Sequence, residues 1–130
     1  MPLLECLVQM DPVPLYKALA DPQRLRILSL LEEGPLCVCH LMEILETGQV
    51  KVSKQLRYLK ELGLVEGERK AQWMVYRLKN PGHPLLRANL RCLRESDLTG
   101  PGLADDARKR ETLTSRIQDE GPACAEAITC

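Results

Sequence analysis

The stretch from Pro35 to Gly63, PLCVCHLMEILETGQVKVSKQLRYLKELG, limits what this chain can fold into more than any other part of it. Leu36, Leu41, Ile44 and Leu45 recur at helical spacing and define one short amphipathic helix, after which Thr47, Gly48 and Gln49 make a turn. A second helix follows, with Val52, Leu56 and Leu59 on its buried stripe and Lys51, Ser53, Lys54, Gln55 and Arg57 pointing outward. Gly63 stops it where a left-handed residue is cheapest. Helix, glycine-containing turn and basic helix is the helix-turn-helix pattern.

The flanking sequence agrees with a small, mainly α domain. Residues 3–10 have helical spacing and are ended by Asp11-Pro12-Val13-Pro14. A short helix is expected over 15–20. The next helix is capped by Asp21, with Pro22 at its first position, where a missing N–H costs nothing. Its Leu25, Ile27, Leu28, Leu30 and Leu31 read as core, and Gly34 ends it. After Gly63 the period changes to that of a β-hairpin: a strand over 64–69, a turn near Lys70-Ala71-Gln72, and a strand over 73–78 with β-branched and aromatic residues alternating. A basic turn directly behind a basic helix reads as a wing reaching for phosphates. Leu86, Leu90 and Leu93 then mark a last apolar helix, in which Cys92 is expected to be a buried small residue. From Ser96 onward periodicity is lost, and at most residues 103–118 form an exposed helix. The division expected is a domain over 1–95 and a polar, mobile tail over 96–130 that carries Cys124 and Cys130.

At 130 residues there is room for one modest core. Aromatics make up only 3% of the chain and Phe is absent, so that core is aliphatic, which suits short helices better than a sandwich. No apolar run approaches the roughly 18 residues of a membrane span, and there is no basic leader, so a cytoplasmic location is expected. The net charge is +0, but it is unevenly distributed. Between Gln49 and Lys79 eight basic residues face three acidic ones, whereas residues 1–48 and the tail are both acidic in balance. Cationic charge thus collects where a DNA face would be. In a reducing compartment the six cysteines point to metal binding or redox sensing rather than to a disulfide framework.

The box Leu36-Cys37-Val38-Cys39-His40-Leu41 resembles the ELCVCDL box of the ArsR–SmtB family of metal-responsive repressors, with Pro35 in place of Glu and His40 in place of Asp. The resemblance extends over residues 15–26, 52–56, 62–65 and 73–78. It implies a dimeric winged helix-turn-helix repressor, mainly α with a β-hairpin wing, that leaves a pseudo-palindromic operator when a soft metal or metalloid binds. In such a family the last and first helices pack across a two-fold axis.

For the inducer, the resemblance and the chemistry of soft thiolates point to Cys37 and Cys39 as ligands of arsenite, antimonite or an organoarsenical, with no permanently bound cofactor. On one α-helix these two sulfurs would lie about 200° apart, so a shared ion requires the first turn to unwind or to start later. Arsenite-binding relatives commonly have a third cysteine where this chain has Met42, which reads here as core. The third donor is then to be sought in Cys124 or Cys130, or in Cys6 of a partner subunit as in cadmium- and lead-responsive relatives. His40 could assist zinc or cadmium, but reads first as a surface residue. Cadmium, lead or zinc response, or thiol oxidation, are the alternatives. A thiol enzyme is disfavoured, because no Gly-rich or Arg-rich anion cradle follows Cys37. For the operator, Gln49, Lys51, Ser53, Lys54, Gln55, Arg57 and Tyr58 on the second helix, with Arg69, Lys70 and Gln72 in the wing, are the expected contacts.

Overall fold

A computed structural model describes residues 11–96 and 100–120. Helix α1 (Val13–Leu19) leads into α2 (Pro22–Glu32), whose first turn is capped by Asp21: its carboxylate accepts from the Arg24 backbone N–H at 3.0 Å. Strand β1 is only Leu36–Cys37, and helix α3 (Val38–Leu45) follows without a break. Glu46 turns the chain in the left-handed conformation, and α4 (Gln49–Glu61) completes the helix-turn-helix. Gly63, at φ +76, lets the chain reverse after α4, a conformation that strains any residue with a Cβ.

The wing is β2 (Val65–Lys70) and β3 (Trp73–Leu78), paired antiparallel from Val65↔Leu78 to Lys70↔Trp73. Only Ala71 and Gln72 remain for the turn, and Ala71 takes φ +55, as a tight hairpin turn demands. Tyr76 lies across Gly67, where an added Cβ would come within 2.9 Å of the ring. The periodicity of the sequence does not reveal β1, which joins the free edge of β3 with Leu36 opposite Tyr76 and Cys37 opposite Val75. A two-residue strand is too short to leave an alternating pattern.

Ile27, Leu28, Leu41, Ile44, Val52, Leu56 and Leu59 are almost wholly enclosed, so the core sits where α2, α3 and α4 meet. Helix α5 (Pro84–Glu95) adds Leu86 and Leu90, whereas Leu93 is only half-buried and Cys92 is exposed, not buried as its setting in the sequence suggests.

The larger correction concerns the C-terminal segment. Helix α6 (Gly100–Glu120) is longer than the 103–118 expected and is packed rather than exposed: Leu113 and Ile117 are buried in the main core, and it lies against α2 and α3. Asp106 is enclosed as well and accepts from Arg26 Nε and Nη2, both at 2.8 Å. Arg110 donates to the Leu30 carbonyl at 3.0 Å, and Arg116 meets Glu43 at 2.7 Å. The helix escapes periodicity because one of its core-facing positions is an aspartate whose partner is remote in sequence. Among the described residues no helix is long and apolar enough to cross a membrane.

Candidate metal centre and nucleic-acid interface

The thiol pair does not lie on one helix. Cys37 is the N-cap of α3, with φ −69 and ψ 154, while Cys39 is in the first turn. Extended backbone at Cys37 removes the angular conflict that helical spacing implies: the Sγ atoms of Cys37 and Cys39 and a ring nitrogen of His40 all lie within 4.8 Å of one another. No unwinding is required. What holds Cys37 out of the helix is its pairing with Val75 of β3, so the thiol site is tied by backbone to the wing. Cys37 and Val75 are buried together, with Cys39 and Trp73 packed on them.

Both cysteines line a cleft of about 380 Å³. Gln49 and Ser53 enter it from α4, Arg69 and Gln72 from the wing, and Met42 from α3. Met42 is half-buried and packs on the core, as expected, yet its side of α3 also borders the thiols. Cys6, Cys124 and Cys130, the expected sources of a third sulfur, lie outside the described residues.

His40 is the group whose sequence setting misleads most. It is 6% exposed, not a surface residue, and its Nδ1 is enclosed with no hydrogen-bond partner. Burial is the main cause pulling its pKa below the usual 6.5; Glu43 opposes this, while Arg116 and Arg110 of α6 reinforce it. The imidazole is therefore neutral near pH 7 and able to offer a lone pair. Its spacing from Cys37 is visible in the sequence; its burial, and the α6 charges that act on it, are not.

Along α4, Gln49, Lys51, Ser53, Lys54 and Arg57 are exposed, as are Arg69 and Gln72 in the wing, while Lys70 is half-buried. Among the described residues no carboxylate pairs with Lys51, Lys54, Arg57, Arg69 or Lys70, whereas Arg77 is paired with Glu68. Two residues expected on this surface are committed elsewhere. The Gln55 amide donates to Asp21 at 3.3 Å and to Gln23 at 3.2 Å, and its oxygen accepts from Arg24 at 3.3 Å. Tyr58 is half-buried against the core, with the Arg24 guanidinium 4.1 Å from its ring centroid, a cation–π contact. Both brace α4 against the start of α2. Val50, which no sequence pattern singles out, is 69% exposed at the start of α4.

Residues 21–67 match the family model described as bacterial regulatory protein, arsR family. The arsenic resistance transcriptional regulator ArsR1 of Pseudomonas putida is 44% identical over 70 residues, 53% of this chain and 55% of that protein, so the chain spans about half the length of that relative. A second regulator from the same organism, ArsR2, is 32% identical over 119 residues, which cover 87% of this chain and 97% of that one. Among solved structures, the homodimeric winged helix-turn-helix DNA-binding domain Mb0332 of Mycobacterium bovis matches with a TM-score of 0.54 and 28% identity, over 63% of this chain and 73% of that one. Its fold, the hairpin behind α4 and the match to ArsR2 along nearly its whole length agree: this chain belongs to the arsR family of bacterial regulatory proteins.

Proposed function

We propose that this chain is a homodimeric, DNA-binding transcriptional repressor, not an enzyme, that leaves its operator when trivalent arsenic or antimony, inorganic or methylated, binds the thiolates of Cys37 and Cys39. The observation that carries the proposal is the cleft that both cysteines share with Gln49 and Ser53 of α4 and with Arg69 and Gln72 of the wing. The names of its relatives, arsenic resistance regulators, support the choice of inducer.

Release follows from connection rather than unwinding. The α4 cations and the wing grip the two sides of one DNA surface, α4 in the major groove and the wing on the backbone. Drawing two sulfurs onto one atom moves β1 and the first turn of α3, and β1 carries β3 with it through the Leu36–Tyr76 and Cys37–Val75 pairs. The relative placement of wing and helix changes, and the two can no longer reach their phosphates at the same time. Each sulfur that bonds arsenic gives its proton to a departing hydroxide of arsenous acid, which leaves as water, so the exchange releases no net proton.

The test is binding of the full-length reduced protein to a duplex selected by the protein itself, with and without arsenite. Arsenite is expected to release the wild type and not Cys37→Ser. An equal response in both would remove the site, and peroxide-driven release with no response to arsenite would replace the metalloid by oxidation.

A further inference from the structure

We infer that Val50 reads the C5-methyl group of a thymine in the major groove, one in each half-site of the operator, and so sets part of the sequence preference. This rests on the reading of the chain as a DNA-binding repressor with α4 in the major groove. It goes beyond that reading by naming a base and the residue that selects it.

Two features at the start of α4 have no use in the fold. The first is Val50 itself, more exposed than any other large apolar side chain among the described residues. It lies about 160° from Val52 around the helix axis, so it points away from the core stripe of Val52, Leu56 and Leu59. At i+3, i+4 and i+7 from it stand Ser53, Lys54 and Arg57, all exposed, so a valine heads an otherwise polar row. The second feature is Gly48, the N-cap. Its φ of −70 and ψ of 162 suit any residue, a Cβ there would meet nothing within 4 Å, and the cap makes no side-chain hydrogen bond. Ser, Asp or Asn at this position would satisfy a free N–H of the first turn. Neither backbone nor packing asks for glycine, and its effect is to leave the first turn of α4 open to close approach. The neighbouring Thr47 hydroxyl is engaged with the Leu45 carbonyl at 3.0 Å.

An apolar tip at an open helix end has one match among the bases. The N-terminal residues of the second helix are those that meet base edges. In the major groove adenine, guanine and cytosine present hydrogen-bonding groups, whereas thymine adds a methyl group beside its O4. Valine holds one strongly preferred rotamer in a helix, so packing its methyls on that group costs little ordering. Opposite cytosine, the same side chain covers an amino group and leaves it unpaired, which lowers affinity. Lys54 and Arg57 attract any duplex; Val50 discriminates between sequences.

The experiment measures binding of the full-length reduced protein to the duplex it selects, with each thymine replaced in turn by deoxyuridine, which removes only the methyl group. For the wild type, one thymine per half-site is expected to be sensitive, with a loss of roughly threefold to tenfold, the scale of burying one methyl. That loss should be the same at low and high salt, because no counterion is involved. Val50→Ala should bind the thymine and deoxyuridine duplexes equally at that position, whereas Val50→Thr, which keeps a methyl, retains the difference. Because Val50 packs on nothing, both variants should unfold in urea at the wild-type midpoint. Absence of any methyl-sensitive thymine in the wild type, or unchanged sensitivity in Val50→Ala, would each overturn the contact while leaving the repressor reading in place. A wild type that selects no duplex at all would remove that reading, and the contact with it.

Discussion

Asp106 and Arg26 form one ion pair but are not equivalent under mutation. Only 2% of the Asp106 side chain is exposed, against 30% for Arg26. Arg26→Ala strands an enclosed carboxylate and is expected to cost about 3–5 kcal/mol in urea unfolding. Asp106→Ala leaves a guanidinium that water can reach, for a smaller loss of about 1–3 kcal/mol. Equal losses would show that the carboxylate is not enclosed in solution. At Gln55 the helical period correctly excludes the core stripe, but period alone cannot say whether an off-stripe side chain meets water or a neighbouring helix. Its hydrogen bonds to Asp21, Gln23 and Arg24 mean that Gln55→Ala should destabilise the fold by about 1–2 kcal/mol. It should also weaken binding to all operator variants alike. Loss of discrimination at a single adenine position would instead give it the base contact that its chemistry permits.

Among the elements, α6 departs furthest from what the sequence suggests. Gly100, Pro101 and Gly102 look like loop, and its charged residues look solvated, yet proline is tolerated in a first helical turn and the charges reach partners on α2 and α3. Leu113, buried in the main core, tests the docking: Leu113→Ala is expected to cost about 2–5 kcal/mol in urea unfolding, whereas a detached tail would lose nothing. The link to the thiol-bearing helix carries a pH signature. The hydrogen bond from Arg116 holds the Glu43 carboxyl below its ordinary 4.5, outweighing the desolvation that opposes it. A depressed folded value means that the pair's contribution is present above about pH 4.5 and disappears as pH falls through the folded value. Both side chains are 47% exposed, so solvent limits that contribution to about 0.5 kcal/mol or less. The stability difference between the wild type and Arg116→Ala should therefore be small at pH 7 and vanish in acid.

For the molecule as a whole, the net charge of +0 hides the separation that matters. Lys51, Lys54 and Arg57 on α4 and Arg69 in the wing are exposed, and among the described residues no carboxylate pairs with them, whereas Arg77 is neutralised by Glu68. If these cations face phosphate, Arg57→Ala and Arg69→Ala should each reduce the slope of log affinity against log salt by about 1, because each takes one cation away from the DNA backbone. Arg77→Ala should change it less. Equal slopes for all three variants would place the DNA on another surface.

Local chemistry determined much of this protein by itself. The stripe of Val52, Leu56 and Leu59, the stop at Gly63 and the alternation through Trp73–Leu78 depend on neighbours a few residues away, so the helix-turn-helix and its wing are legible from the chain alone. The start of α3 is not legible. Cys37 is extended because Val75 pairs with it, and that pairing, absent from any local pattern, is what brings the two sulfurs together. His40 feels the charges of Arg116 and Arg110 only once α6 lies against α3, and Gln55 meets Asp21 only once α4 lies against the start of α2. Helical and strand periods are written within a segment; a helix boundary set by a remote strand, or a polar group buried by a remote helix, exists only in the packed chain.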